Sequence, residues 1–219
     1  MNKLACHVLS AAAIAVIITT VASVASAQGN GPVVVVQGDV FATNYFSNNT
    51  TAGAPPATLR FTEHGDVQAA EGNGVPYSTT EKCAMIYVYA ADQQLAECCG
   101  CPVSKNGLVV ENVQKDLLGN TLTRVVPNEG VIQIVSGAYL DFGTVGVCDP
   151  TDFEPTPEID SWLTHIQNKV GTTFPITEDR GDEEPLSLDE LLTLEADCAF
   201  AVRLGSGFGV CNCNTEAVK

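Results

Sequence analysis

Apolar residues along this chain fall into short runs, many of them β-branched or aromatic, punctuated by Gly, Pro, Asn and Asp. That rhythm predicts strands and turns. Pro32–Val36 and Val40–Phe41 read as buried strands parted by a Gly38-Asp39 turn. Residues 44–57, rich in Asn, Thr, Gly and Pro, read as a loop, and so do 63–80. Between them, Leu59 and Phe61 alternate with polar neighbours as a half-buried strand. The strand signal is densest from Cys83 to Cys148. There Met85–Tyr89 is β-branched and aromatic, and Leu108–Val110 follows an Asn106-Gly107 turn. Thr121–Val126 and Val131–Val135 read as strands about the turn Pro127-Asn128-Glu129-Gly130. The polar turn Ala91-Asp92-Gln93-Gln94 centres an antiparallel hairpin, bringing Cys83 opposite the neighbourhood of Cys101.

Helical period is clear once. Ser187-x-x-Glu190 is a capping box, and Leu186 and Leu191 are placed as a hydrophobic staple. Leu188, Leu191, Leu192, Leu194, Cys198, Ala199 and Val202 then form an apolar face, and Gly205 supplies a left-handed C′ position. Residues 159–170 fit either a helix or a hairpin, with the extended reading favoured. Short strands at this spacing, with no internal repeat, predict a mainly β, antiparallel sandwich-like domain with one C-terminal helix at about 187–203.

The first residues change the picture by fixing a compartment. Lys3, an apolar run from Leu9 to Val24 and the small residues Ala25-Ser26-Ala27 follow the layout of an export signal. The expected organisation is a signal peptide, 1–27, and one secreted domain, 28–219, in the periplasm or outside the cell. Loss of Lys3 with the signal takes the formal charge from −16 to −17. So acidic a surface repels nucleic acid and anionic lipid, and no later apolar run approaches the ~20 residues that span a bilayer. No cofactor is implied, and the expected partner is an envelope or extracellular component.

Cys6 leaves with the signal. Cys83, Cys98, Cys99, Cys101, Cys148, Cys198, Cys211 and Cys213 remain, and an even count in an exported chain reads as a disulfide framework. Neighbouring side chains on a strand point to opposite faces, so Cys98 and Cys99 require different partners. A bridge from the 98–101 cluster to the C-terminal pair closes a loop of ~100 residues, worth about 4–5 kcal/mol in entropy models. Cys198 is placed to tie the helix to the sheets. Two alternatives stand beside this reading: a metal site, with Cys98-x-x-Cys101 at zinc-knuckle spacing and Cys211-x-Cys213 as its second pair, or a thiol-redox centre using Cys98, Cys99 and Cys101.

Other chemistry is sparse. Gly205-Ser206-Gly207-Phe208-Gly209 follows a helix, whereas a dinucleotide loop precedes one, so it reads as a helix-ending loop. His165 is the candidate base of an unrecognised extracellular hydrolase, although no G-x-S-x-G elbow surrounds any serine. His64 reads as a solvated loop residue. Asp149/Asp152/Glu154 and Glu178/Asp179/Asp182/Glu183/Glu184 read as acidic loops, calcium being the sharper alternative.

Over residues 83–213, the stretches CAMIYVYAADQQLAECCGCPVSKNGLVV, LGNTLTRVVPNEGVIQIV, WLTHIQ, FPITE and LGSGFGVCNC resemble a family of exported, cysteine-rich bacterial proteins. The resemblance rests on CC-x-CP-x5-GL and GSGxGxCxC elements. It implies a secreted or periplasmic protein with recurring cysteines and assigns no catalytic residue. The combined expectation is a disulfide-stabilised module with a binding or structural role and no catalysis.

Overall fold

The computed structural model describes residues 36–63, 77–141, 146–157 and 159–213. The segment read as a signal, Pro32–Val35 and His64 lie outside them. The described chain is mainly β. The strands run β1 Val36–Phe46, β2 Thr58–Glu63, β3 Tyr77–Ala90, β4 Leu95–Ser104, β5 Leu108–Asn112, β6 Gly130–Asp141, β7 Gly146–Val147, β8 Ile159–Ile166, β9 Ile176–Arg180 and β10 Asp182–Leu186. A single π-helical turn, Val113–Leu117, follows β5, and α1 spans Leu188–Arg203.

Two antiparallel sheets form. One has the order β10-β1-β6-β3-β4, with β7 beside β6, and the other the order β5-β2-β8-β9. Alternation along β3 decides which layer each side chain enters. Ala84, Ile86 and Val88 join Leu59, Phe61 and Leu163 in the core between the sheets. Cys83, Met85 and Tyr87 join Leu186, Leu191, Leu194 and Cys198 under α1. The layers are thus sheet, sheet, helix, the sandwich expected with its C-terminal helix.

Two turns move the chain from one sheet to the other. At Asn106-Gly107 it leaves β4 and enters β5, with Asn106 at φ 55°. At Gly181 it passes from β9 to β10, and there a Cβ would lie 2.7 Å from both Asn44 Nδ2 and Ser161 Oγ. Only glycine lets the crossing strand approach that closely.

Several local expectations are corrected. Gly38-Asp39 is no turn; it lies inside β1, where the register with β10 shifts between Val36 and Phe41. A bulge absorbs one polar pair without ending a strand, which sequence alone cannot distinguish from a turn. β1 also runs on to Phe46, and β3 begins at Tyr77, both inside segments read as loops. Thr121–Val126 is not a strand. Arg124 takes φ 61°, its N–H donates to Thr121 O, and Leu122 N–H donates to Ala96 O, so the segment coils across the end of β4. Its apolar pattern was adequate, but a single backbone hydrogen bond to the edge of β4 does not make a ladder. Residues 159–166 form β8, paired with β2 and β9, so the extended reading holds over the helical one. The acidic run 178–184 is strand rather than loop, shared between β9 and β10.

Candidate functional site

The stretch Glu97–Pro102 sits in β4, at the edge of its sheet. On one side β4 pairs with β3, placing Tyr87 opposite Cys98, Ile86 opposite Cys99 and Ala84 opposite Cys101. The hairpin register is the one expected: Cys83 lies opposite Pro102, one residue from Cys101. The other edge receives a C-terminal strap. Cys98 N–H donates to Gly209 O at 3.0 Å and Cys211 N–H donates to Cys98 O at 3.2 Å, in parallel sense. Unpaired edges invite foreign strands, and this one is covered locally.

The eight cysteines form four disulfides: Cys83–Cys148, Cys98–Cys198, Cys99–Cys211 and Cys101–Cys213. Their Cα separations of 5.3–5.8 Å are ordinary for bridged pairs. Cys98 turns toward α1 and takes Cys198, while Cys99 and Cys101 turn into the intersheet core and take Cys211 and Cys213. The latter two bridges join i, i+2 positions on parallel segments and make a two-rung ladder. Gly100 between the rungs is required by packing, since a Cβ there would lie 2.2 Å from Cys148 O.

This geometry corrects the metal alternative drawn on Cys98, Cys99 and Cys101. Cys98 faces the other side of the sheet, so those three sulfurs cannot converge. The sulfurs that do converge belong to Cys99, Cys101 and Cys213, all within 4.8 Å of one another. Among the described residues no other set of three or more His, Cys, Asp or Glu side chains does so.

The helix-ending loop prepares the strap. Gly205, Gly207 and Gly209 take φ of 61°, 75° and 89°, the left-handed region, and turn the chain back along β4. Asn120 holds it there: its Nδ2 donates to Gly207 O at 2.7 Å and its carbonyl accepts from Gly209 N–H at 2.7 Å. Asn120 N–H in turn donates to Glu97 Oε1 at 2.6 Å. Glu97 is fully buried and its Oε2 has no hydrogen-bond partner. Burial pushes its carboxyl up to about 7, against the lowering effect of the Asn120 hydrogen bond. Sequence reasoning missed Glu97. The available signal was a lone charge on the inward phase of an otherwise apolar strand.

His165 on β8 is 3% exposed. Its ring lies 4.1 Å from that of Tyr45, centroid to centroid, and its Nε2 lies 3.5 Å from Asp179 Oδ2. A hydrolytic triad needs a hydroxyl on the remaining nitrogen. Nδ1 has no hydrogen-bond partner, so among the described residues the carboxylate side of a triad is present and the nucleophile side is not. Several acidic residues of these stretches are engaged within the fold. Glu178 pairs with Arg60, Asp160 and Glu183 share Arg180, and Asp149 Oδ1 accepts from both the N–H and the hydroxyl of Thr151.

A second feature was not foreseen. Between the β3–β4 turn, β6 and α1 lies a recess of about 520 Å³ lined by residues including Tyr89, Val131, Gln133, Glu190, Thr193 and Asp197. Tyr89 donates its hydroxyl to Asp197 Oδ2 at 2.9 Å, and Gln133 Nε2 donates to Glu190 Oε1 at 3.3 Å. Burial, the hydrogen bond to Asp197 and the two carboxylates hold the Tyr89 hydroxyl in its neutral form. Glu190, Thr193 and Asp197 share one helix face by their i, i+3, i+7 spacing. Their signal was in the sequence, masked by the stronger apolar stripe.

Set against known proteins, the chain matches no protein-family profile, no curated protein and no solved structure. The four disulfides fit an oxidising compartment, and no helix among the described residues is long and apolar enough to cross a membrane.

Proposed function

We propose that this chain is exported through a cleaved N-terminal signal and acts outside the cytoplasm as a disulfide-stapled β-sandwich module whose role is binding, not catalysis. It is proposed to belong to the exported, cysteine-rich class that its sequence resembles. The carrying observation is the use of the cysteines. All eight after Cys6 are spent in bridges that fasten α1, the segment at Cys148 and the C-terminal strap to β3 and β4 of one sheet, and this rigidifies the walls of the Tyr89–Asp197 recess.

A recess of that volume lies in the range of small-ligand sites, and pre-organised walls reduce the entropy cost of binding. Two carboxylates beside an aromatic ring suit an amine or quaternary ammonium group. Two measurements test the reading. Protein recovered from the extracytoplasmic fraction is expected to begin at Gln28 and to weigh about 8 Da less than its reduced form, one proton mass per cysteine. Amide shifts on titration with choline and with spermidine are expected to centre on residues 89–93, 131–133 and 190–197, and to vanish in Asp197→Asn. Retained Met1, free thiols, or shifts centred on His165 with turnover of an ester probe would each overturn it.

A further inference from the structure

We infer that the two-rung ladder Cys99–Cys211 and Cys101–Cys213 is, in its opened form, a tetrathiolate site for a borderline divalent metal ion of the zinc type. The inference goes beyond the binding role proposed above and involves a different face of β4.

Placement carries it. Cys99-x-Cys101 lies on β4 and Cys211-x-Cys213 on the strap beside it, with parallel backbone contacts between Cys98 and its neighbours at 209–211. The sulfurs of Cys99, Cys101 and Cys213 lie within 4.8 Å of one another, and the Cys211 sulfur is bonded to that of Cys99. Zn–S bonds of about 2.3 Å in a tetrahedron put sulfurs about 3.8 Å apart. Three sulfurs already stand near that spacing, and the Cys211 sulfur, outside the convergent set, swings in to complete the cage once its bond to Cys99 is opened. The surroundings select the ion. Cys99, Cys101 and Cys211 are buried in the apolar intersheet core, and hard oxygen-seeking ions gain little from sulfur.

The other two bridges preserve the scaffold. Cys98–Cys198 and Cys83–Cys148 belong to the layer under α1, on the opposite face of the sheet. With Cys98 still bridged to Cys198, the strap remains tethered beside β4.

Opening requires a dithiol reductant. Cys213 is the partly exposed end of the ladder, so attack begins at Cys101–Cys213. One dithiol passes to its cyclic disulfide and leaves two thiols there. A thiolate at 101 or 213 then lies within 4.8 Å of the Cys99 sulfur. It bonds to that sulfur, expelling Cys211 as thiolate. A second dithiol reduces the new bridge. Two dithiols thus supply four electrons and four protons, and the divalent ion replaces four thiol protons, which leave to solvent.

Anaerobic reduction with dithiothreitol, followed by alkylation mapping and titration with Co²⁺, tests this. The ladder is expected to open while Cys98–Cys198 and Cys83–Cys148 persist. That state is expected to take up one Co²⁺ per chain with the intense visible bands of tetrahedral thiolate coordination, bleached by one equivalent of Zn²⁺. The bands are expected to be lost in Cys101→Ser/Cys213→Ser and retained in Cys83→Ser/Cys148→Ser. Four results would overturn the inference. They are earlier opening of either other bridge, a weak octahedral spectrum, more than one ion per chain, or full bands in the 101/213 variant.

Discussion

Glu97 shows most directly how one side chain can set a property of the fold. Its carboxyl is inside, half satisfied by Asn120 N–H, and raised from 4.5 to about 7 by burial. Below its ordinary value it is protonated in both folded and unfolded chains and contributes no pH dependence. As pH rises from 4.5 to about 7 the unfolded chain releases the proton first, so native stability falls, by about 3 kcal/mol in all. Glu97→Gln keeps an acceptor for Asn120 and removes the titration. The variant is expected to gain stability over the parent as pH rises through that window and to hold the gain at pH 8. Urea denaturation across pH measures it, and parallel curves for the two proteins would clear Glu97 of the effect.

At the scale of an element, α1 rests on its cap, its staple and one bridge. Ser187 Oγ accepts from Glu190 N–H at 3.1 Å, but the Glu190 side chain accepts from Gln133 across the recess. The capping box is therefore used for one of its two hydrogen bonds, and its glutamate serves the recess. Ser187→Ala is expected to cost about 1 kcal/mol, the usual value of such a cap. Helix content by circular dichroism should stay unchanged, because Cys98–Cys198 and the burial of Leu191 and Leu194 hold the helix in place. A loss of helical signal would show that the cap, not the packing, maintains α1.

Across the whole molecule, the bridges are not independent. Cys99–Cys211 and Cys101–Cys213 each span 112 residues, and Cys98–Cys198 spans 100. In isolation each would remove about 4–5 kcal/mol of chain entropy from the unfolded state. Together they do not, because a neighbouring bridge already closes most of each loop. With Cys99–Cys211 intact, Cys101–Cys213 closes a ring of only about five residues, worth about 2 kcal/mol. Removing both rungs leaves Cys98–Cys198 to hold the long loop and costs about 5 kcal/mol. Denaturation of Cys101→Ser/Cys213→Ser and of the variant lacking all four cysteines should give these values. A cost of about 4–5 kcal/mol for one rung, doubling when both are removed, would mean that the rungs do not share a loop.

What the sequence determined by itself was local. Short β-branched runs specify strands, the Ala91–Gln94 turn specifies a hairpin register, Ser187 and Gly205 bound a helix, and strand alternation separates Cys98 from Cys99. Each depends only on residues a few positions apart, where backbone preference and side-chain direction are nearly fixed. The tertiary structure alone decided which strands neighbour one another, which cysteine meets which, and that Gly181 and Asn106-Gly107 carry the chain between sheets. It also decided that Thr121–Val126 stays coiled and that Glu97 is buried. Those outcomes depend on contacts a hundred residues apart, and a local pattern compatible with many of them cannot choose without the packing of the whole core.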